Sequence, residues 1–162
     1  MSIDIEYLAD HSEFVPQIAS WYFSEWGHKE PNNSIERISE RLNTKLNRNQ
    51  LPIPIIAIEN GKLVGTAQLK IREMAIYPNR EFWLGGVYVD SLARGKGIGE
   101  LLVKRIEEIS KQLGIKDLYL QTEKLTGGLY TKLKWLPIEQ VDNKNVQVVI
   151  MQKKLQNDNY LE

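Results

Sequence analysis

Over the first third of the chain apolar residues recur at helical spacing, and beyond it they run in alternating or continuous blocks; that change of period lays out the elements. Asp10, with Glu13 three residues on, resembles a capping box, and Phe14, Ile18, Trp21 or Tyr22, and Trp26 follow at helical steps, which predicts a helix over about 11–26. Ser34 is a suitable N-cap for a second helix, with Ile35, Ile38, Leu42 and Leu46 along one face, and Gly27 and Pro31 part the two. From Pro54 the period shortens. Ile55–Ile58 and Leu63–Leu69 flank Asn60-Gly61, the signature of a tight β-hairpin. Phe82–Val89 is apolar at nearly every position, as a central strand covered on both faces would be.

A polar, glycine-rich loop then leads into a helix carrying Ile98, Leu102, Ile106, Ile109 and Leu113, with Glu100–Lys104 and Glu107–Lys111 paired on its wet side and Gly114 at its end. Leu118–Leu120 predicts a strand, 127–133 a short helix, and 138–141 with 146–151 a closing hairpin around Asp142-Asn143-Lys144-Asn145. This order implies a mixed sheet with helices on both faces. It is an α/β (α+β) pattern without linker or repeat, read as a single domain over 1–155 and a short polar tail over 156–162 that frays from Gln156.

Composition narrows the chemistry. At 162 residues, 42% hydrophobic and 26% charged, the chain can bury a core, and disordered or fibrous classes drop out. Lys plus Arg equal Asp plus Glu at 21 each, so no overall field recruits nucleic acid or an acidic membrane. Cysteine is absent, which removes disulfides, thiolate nucleophiles and Cys-zinc sites, and two His (His11, His28) cannot form a three-His centre, so no metal is expected. The longest apolar run, Ile53–Ile58, is far short of the ~18 residues that span a bilayer, and the acidic start Met1–Glu6 carries no signal-peptide core. A cytoplasmic protein is the default.

The informative stretch is Val87-Tyr88-Val89-Asp90-Ser91-Leu92-Ala93-Arg94-Gly95-Lys96-Gly97-Ile98-Gly99, a buried strand feeding a glycine-rich turn that opens an amphipathic helix. Glycine admits close approach and positive φ, and the first N–H groups of a helix lack internal partners, so such a turn cradles phosphate. Arg94 and Lys96 add cations at its rim. A nucleotide P-loop would need Ser or Thr after Gly95-Lys96, where Gly97 stands; a dinucleotide fingerprint would need glycine where Glu100 stands.

Arg94-x-x-Gly97-x-Gly99 after a hydrophobic strand resembles the acetyl-CoA signature of the GCN5-related N-acetyltransferase (GNAT) superfamily, and Leu129-Tyr130-Thr131-Lys132-Leu133-Lys134-Trp135 resembles its late helix. The resemblance implies a mostly antiparallel sheet in which strands 82–89 and 117–122 splay around a β-bulge, for which Gly85-Gly86 is the natural place. It implies acetyl-CoA as co-substrate, pantetheine along Val87, Tyr88 and Val89, diphosphate on the amides of Arg94, Gly95, Lys96, Gly97, Ile98 and Gly99, and the Val87 N–H as oxyanion donor. Lys104 and Lys132 are further candidates for the phosphates.

The function so implied is direct transfer of acetyl to an amine of a small molecule or peptide. Tyr130 is the candidate acid for the thiolate, its phenol (~10) lying above a thiol (~8.5). Several members carry a basic Glu on the central strand, but the matching position here is Trp83, so Glu81 is the candidate base, followed by Glu123 and then Glu73, with His28 a remote fourth. Tyr22 and Trp26, with Glu123, are placed on the acceptor side. Two departures stand out: Lys134 occupies the usual glycine after the late helix, so that either a non-glycine residue is left-handed there or the turn differs, and Gly127-Gly128 is one residue longer than usual. A non-catalytic acyl-CoA-binding module, or a nucleotide-binding regulator, would share the turn without the proton machinery. An exposed strand edge leaves room for a homodimer.

Overall fold

The computed structural model describes residues 2–156; the rest of the polar tail lies outside the described residues. The elements run β1 (Ile3–Tyr7), α1 (Val15–Glu25), α2 (Ile35–Asn43), β2 (Ile53–Glu59), β3 (Lys62–Ile71), β4 (Phe82–Val89), α3 (Ile98–Gln112), β5 (Asp117–Thr122), α4 (Leu129–Lys132), β6 (Leu136–Asn143) and β7 (Val146–Lys154). The seven strands form one α+β sheet in the order β1-β2-β3-β4-β5-β7-β6, antiparallel except where β4 meets β5.

Alternation along the strands sorts the core into two faces. Ile53, Ile55 and Ala57 of β2, with Ala67 and Leu69 of β3, pack beneath Ile98, Leu102 and Ile106 of α3. Ile56 and Ile58 point the other way, to Ile18, Ile38 and Leu42 of α1 and α2. On that second face the far half of the sheet is covered by the 72–81 segment, where Met74 joins Trp83, Val148 and Ile150. Asn60 and Gly61 take φ of 52° and 76°, so the first hairpin turns as its sequence predicts.

Four expectations are corrected. The first helix starts at Val15, not 11: two 3-10 turns (Leu8–Asp10, Ser12–Phe14) precede it, Asp10 pairs with Arg48 at 2.9 Å, and no side chain caps Phe14. The alternation Ile3-Asp4-Ile5-Glu6-Tyr7 forms an additional edge strand, β1. The last hairpin is longer, its turn reduced to Lys144-Asn145 between β6 and β7. Glu100–Lys104 pairs at 3.4 Å as expected, but Glu107 is buried, holding Lys153 Nζ at 2.7 Å and accepting from Trp135 Nε1 at 3.2 Å, so it is unavailable to Lys111. Among the described residues no helix is long and apolar enough to cross a membrane.

Candidate active site

β4 pairs with β3 along its length but with β5 only at Trp83–Tyr119, so the two parallel strands part beyond that point. The cause is local. Gln68 opposes Gly85 and Thr66 opposes Tyr88, leaving Ala67 across from both Gly86 and Val87: a bulge at the expected glycines, with Gly86 at φ 59°. A side chain at Gly86 would meet the Tyr22 hydroxyl at 2.5 Å, so only glycine fits.

Where the strands part, the chain from Asp90 makes a 3-10 turn (Ser91–Ala93) and then bends through Gly95 and Gly97, at φ 84° and 79°, into α3. No atom lies within 4 Å of a Cβ built on either glycine, so the bend is open and not filled by its own side chains. Among the described residues the N–H groups from Arg94 to Glu100 meet no protein acceptor; the first to do so is Leu101 N–H, on Gly97 O at 3.2 Å. A row of free amides at the start of a fifteen-residue helix suits a diphosphate. The flanking cations are engaged: Arg94 Nε donates to Val89 O at 3.0 Å with its guanidinium over the Tyr88 ring, and Lys96 Nζ pairs with Glu59 at 3.3 Å. Val89 O therefore already has a side-chain partner.

The candidate proton carriers separate clearly. Tyr130, in α4, packs edge-on to Trp135 against the α3-side core, and its hydroxyl has no protein partner among the described residues. Burial, then the charge of Glu73, pushes its phenol up to about 12. Glu81 lies just before β4 and is half-exposed in a 2.9 Å pair with Arg72; Glu123, just past β5, is exposed. Glu73 is different. Its side chain is 16% exposed, with Oε1 on Lys70 Nζ at 2.9 Å and Oε2 accepting from Gln121 Nε2 at 3.3 Å, and a Cβ on Gly85 would sit 2.8 Å from Oε1. Lys70 and Leu69 alternate, so Glu73 stands on the face opposite α3 while Tyr130 stands on the α3 side, close enough for the Glu73 charge to act on the phenol.

The acceptor-side residues fall beside this pair. Tyr22 reaches Gly86 O at 2.8 Å and accepts from Gln68 Nε2 at 3.1 Å; Trp26, 38% exposed, has its ring 5.5 Å from that of Tyr22. Trp83 is fully buried, with Nε1 on Arg80 O at 2.7 Å, and serves the core. His28 Nδ1 donates to Phe23 O at 3.0 Å on the surface. Lys134 takes φ 69°, so of the two alternatives the late-helix motif left open the lysine is left-handed. Sequence reasoning missed Gln68, Lys70 and Gln121, polar positions whose neighbours across the sheet no spacing reveals.

Comparisons with known proteins agree with this geometry. Residues 13–134 match the model of the acetyltransferase (GNAT) family. No curated protein sequence matches the chain. Among solved structures, an aminoglycoside 6'-acetyltransferase type Ii aligns at TM-score 0.73 and 21% identity over 96% of this chain and 98% of its own. An N-acetyltransferase from Staphylococcus aureus Mu50 gives 0.75 and 18% over 96% and 100%. The PaiA N-acetyltransferase from Thermoplasma acidophilum, solved with coenzyme A, gives 0.67 and 25% over 95% and 99%.

Proposed function

The chain belongs to the GNAT family of acetyltransferases, acetyl-CoA-dependent enzymes, and from this premise we propose that it carries acetyl to an amine of a small molecule or peptide by direct transfer, with Tyr130 as acid and Glu73 as base. The observation that carries the reading is the open bend at Gly95 and Gly97, whose unpaired amides lie at the mouth of the β4–β5 split. Free amides of Arg94–Glu100 suit the diphosphate, and the backbone of Val87–Val89 suits the pantetheine arm. Bound there, acetyl-CoA supplies an activated thioester carbonyl.

The protein's own groups do the rest. Val87 N–H, at the bulge, donates to the developing oxyanion, a contribution of ~3 kcal/mol for one such donor. A lysine-type amine (~10.4) costs ~4 to 5 kcal/mol to deprotonate at neutral pH, an α-amine (~8) only ~1. Glu73 takes that proton as the C–N bond forms, directly or through one water; Tyr130 gives its phenolic proton to sulfur as the C–S bond breaks. Both carboxylates are paired with a cation, Glu73 with Lys70 and Glu81 with Arg72, but Glu73 borders the bulge and its charge reaches Tyr130, whereas Glu81 stands half-exposed before β4, so Glu73 is preferred. Titrating coenzyme A calorimetrically and then screening amines for thiol release tests the reading. Saturable binding with amine-dependent thiol release is expected; binding with no release from any amine would leave the non-catalytic module.

A further inference from the structure

We propose that Gln121, itself held by Asn143, is a positioning residue that fixes the Glu73 carboxylate for proton transfer. This rests on the acetyltransferase reading with Glu73 as base, and it extends that site to β5 and β6.

Glu73 lies on the 72–81 segment, in neither helix nor strand, so its carboxylate must be steadied from elsewhere. The two parting strands do this. β4 and β5 pair at Trp83–Tyr119, and Gly85 and Gln121 each stand two residues further on, so both face the same side of the sheet as that pair. That side is the one covered by Met74, the neighbour of Glu73. The carboxylate touches both strands: Oε1 would meet a Cβ on Gly85 at 2.8 Å, and Oε2 accepts from Gln121 Nε2 at 3.3 Å. Oε1 also holds Lys70 Nζ at 2.9 Å, so one oxygen is spent on a cation and the other is held by a neutral donor. A carboxylate oxygen has two acceptor sites, so Oε2 keeps one for the proton of the amine.

The orientation of Gln121 has its own cause. Its Oε1 accepts from Asn143 Nδ2 at 2.8 Å, a link that crosses β7 from the last residue of β6. Register directs Asn143 there: it alternates with Val141 and is paired with Val146, and both pack on the face of Trp83. A carboxylate paired with an ammonium only accepts, so Gln121 must turn its amide nitrogen to Glu73 and its oxygen away. Asn143 supplies the donor that this oxygen needs. Donation thus runs one way, from Asn143 through Gln121 to Glu73, and an inverted amide would set oxygen against oxygen. All three side chains are half-buried, which limits the water that could replace either bond.

The test uses the whole chain with acetyl-CoA and lysine, alanyl-alanine, spermidine and kanamycin as amine probes, read by thiol release, with coenzyme A affinity from calorimetry. Gln121→Met removes the donor at similar size. It should lower kcat about ten- to a hundred-fold, while KM for the amine and coenzyme A affinity stay within about three-fold. In a Glu73→Gln background the same substitution should cost less than about two-fold, because it acts through the carboxylate. Asn143→Asp accepts where asparagine donates, so it should lower kcat more than Asn143→Leu does, and should add nothing to Gln121→Met. A side chain that served only the fold would not produce this ordering. NMR reads the link without turnover: the Gln121 side-chain amide resonance, assigned by its loss in Gln121→Met, should move in both Glu73→Gln and Asn143→Asp. Equal losses in the two backgrounds, or parent-like kcat in Gln121→Met, would overturn the proposal and leave Glu73 as base. Parent-like turnover in Glu73→Gln would remove the base and the positioning role together. Coenzyme A binding without thiol release from any of these amines would overturn the acetyltransferase reading on which both depend.

Discussion

The Tyr22 hydroxyl donates to the Gly86 carbonyl across 64 residues of sequence, at 2.8 Å, and thereby fixes the one peptide at which β4 leaves regular pairing. Because a trans peptide sets C=O and N–H on opposite sides, holding the Gly86 carbonyl toward α1 turns the Val87 N–H away from it. Burial pushes the Tyr22 phenol up from its ordinary range, so it remains a donor at working pH. Tyr22→Phe leaves both Gly86 O and Gln68 Nε2 without this partner, at a cost of ~1 to 3 kcal/mol in stability. We expect kcat to fall about ten-fold while coenzyme A affinity, read by calorimetry, changes less than three-fold. An equal loss in both would mean that Tyr22 supports the fold and not the bulge peptide.

Glu73 and Glu81 make opposite predictions. Glu73→Gln keeps the size of the side chain and the bond from Gln121, but removes the base, so kcat/KM should drop ~10²- to 10⁴-fold. Glu81→Gln breaks only a half-exposed pair with Arg72 and should stay within about two-fold, since such pairs contribute ~0 to 1 kcal/mol. Steady-state rates at saturating acetyl-CoA decide between them, and the reverse ranking would return the base to Glu81.

For Tyr130 the sign of the pH effect follows from burial. Its phenol rises from the ordinary 10 to about 12 in the folded protein, so the native state holds this proton more tightly than the unfolded chain does. The associated stability is complete below pH ~10 and is lost as pH climbs through 12. Thermal melts between pH 9 and 12 should therefore decline less steeply in Tyr130→Phe than in the parent. Activity should show no alkaline limb from the acid below pH ~10, and Tyr130→Phe should lower kcat ~10²-fold with coenzyme A binding retained. Wild-type turnover in that variant would remove Tyr130 from the proton path.

Particular residues show where the sequence was readable. Asn60-Gly61 and the α3 stripe are local signals, decided within a few residues, and the chain obeys them. Gly85-Gly86 was legible because glycine inside an apolar strand needs a reason, and the approach of Tyr22 supplies it. β1 hid in five alternating residues whose partner, β2, lies some fifty positions on. Pro16, at the first turn of α1, marks a start that the Asp10–Glu13 spacing obscured. Glu73 ranks only third among the candidate bases in the sequence, for it sits on a segment without periodicity, and only the fold sets it against Gly85 and Gln121.

The Lys96–Glu59 pair offers a test of what shapes the diphosphate turn. Glu59 is 8% exposed and its Oε2 has no partner, so Lys96 Nζ on Oε1 is its sole compensating charge among the ion pairs of the described residues. Lys96→Met strands that carboxylate and should cost ~1 to 3 kcal/mol, discounted for the solvent around Lys96. Lys96→Met with Glu59→Gln should recover most of the loss. Denaturant unfolding of the four proteins in the cycle gives the coupling; additive single losses would mean that the pair does not hold the turn.

Lys134 and Gly114 perform the same task with different residues. After α3, Gly114 N–H bonds Lys111 O at 3.0 Å and Ile115 N–H bonds Ser110 O at 2.9 Å, with Gly114 at φ 79°. After α4, Lys134 N–H bonds Thr131 O at 3.1 Å and Trp135 N–H bonds Tyr130 O at 3.0 Å, with Lys134 at φ 69°. Both are Schellman closures, but a lysine Cβ carries ~1 kcal/mol of strain in the left-handed region that glycine avoids. Lys134 is exposed and forms no ion pair among the described residues, so Lys134→Gly removes the strain without removing such a contact. Glycine also gives the unfolded chain more freedom, which offsets part of the gain. The balance should raise Tm by about 2 °C. Because the closure takes its acceptor from Tyr130 itself, a Tm rise accompanied by falling kcat would show that the bulk of Lys134 helps to seat the acid; unchanged kcat is the expected result.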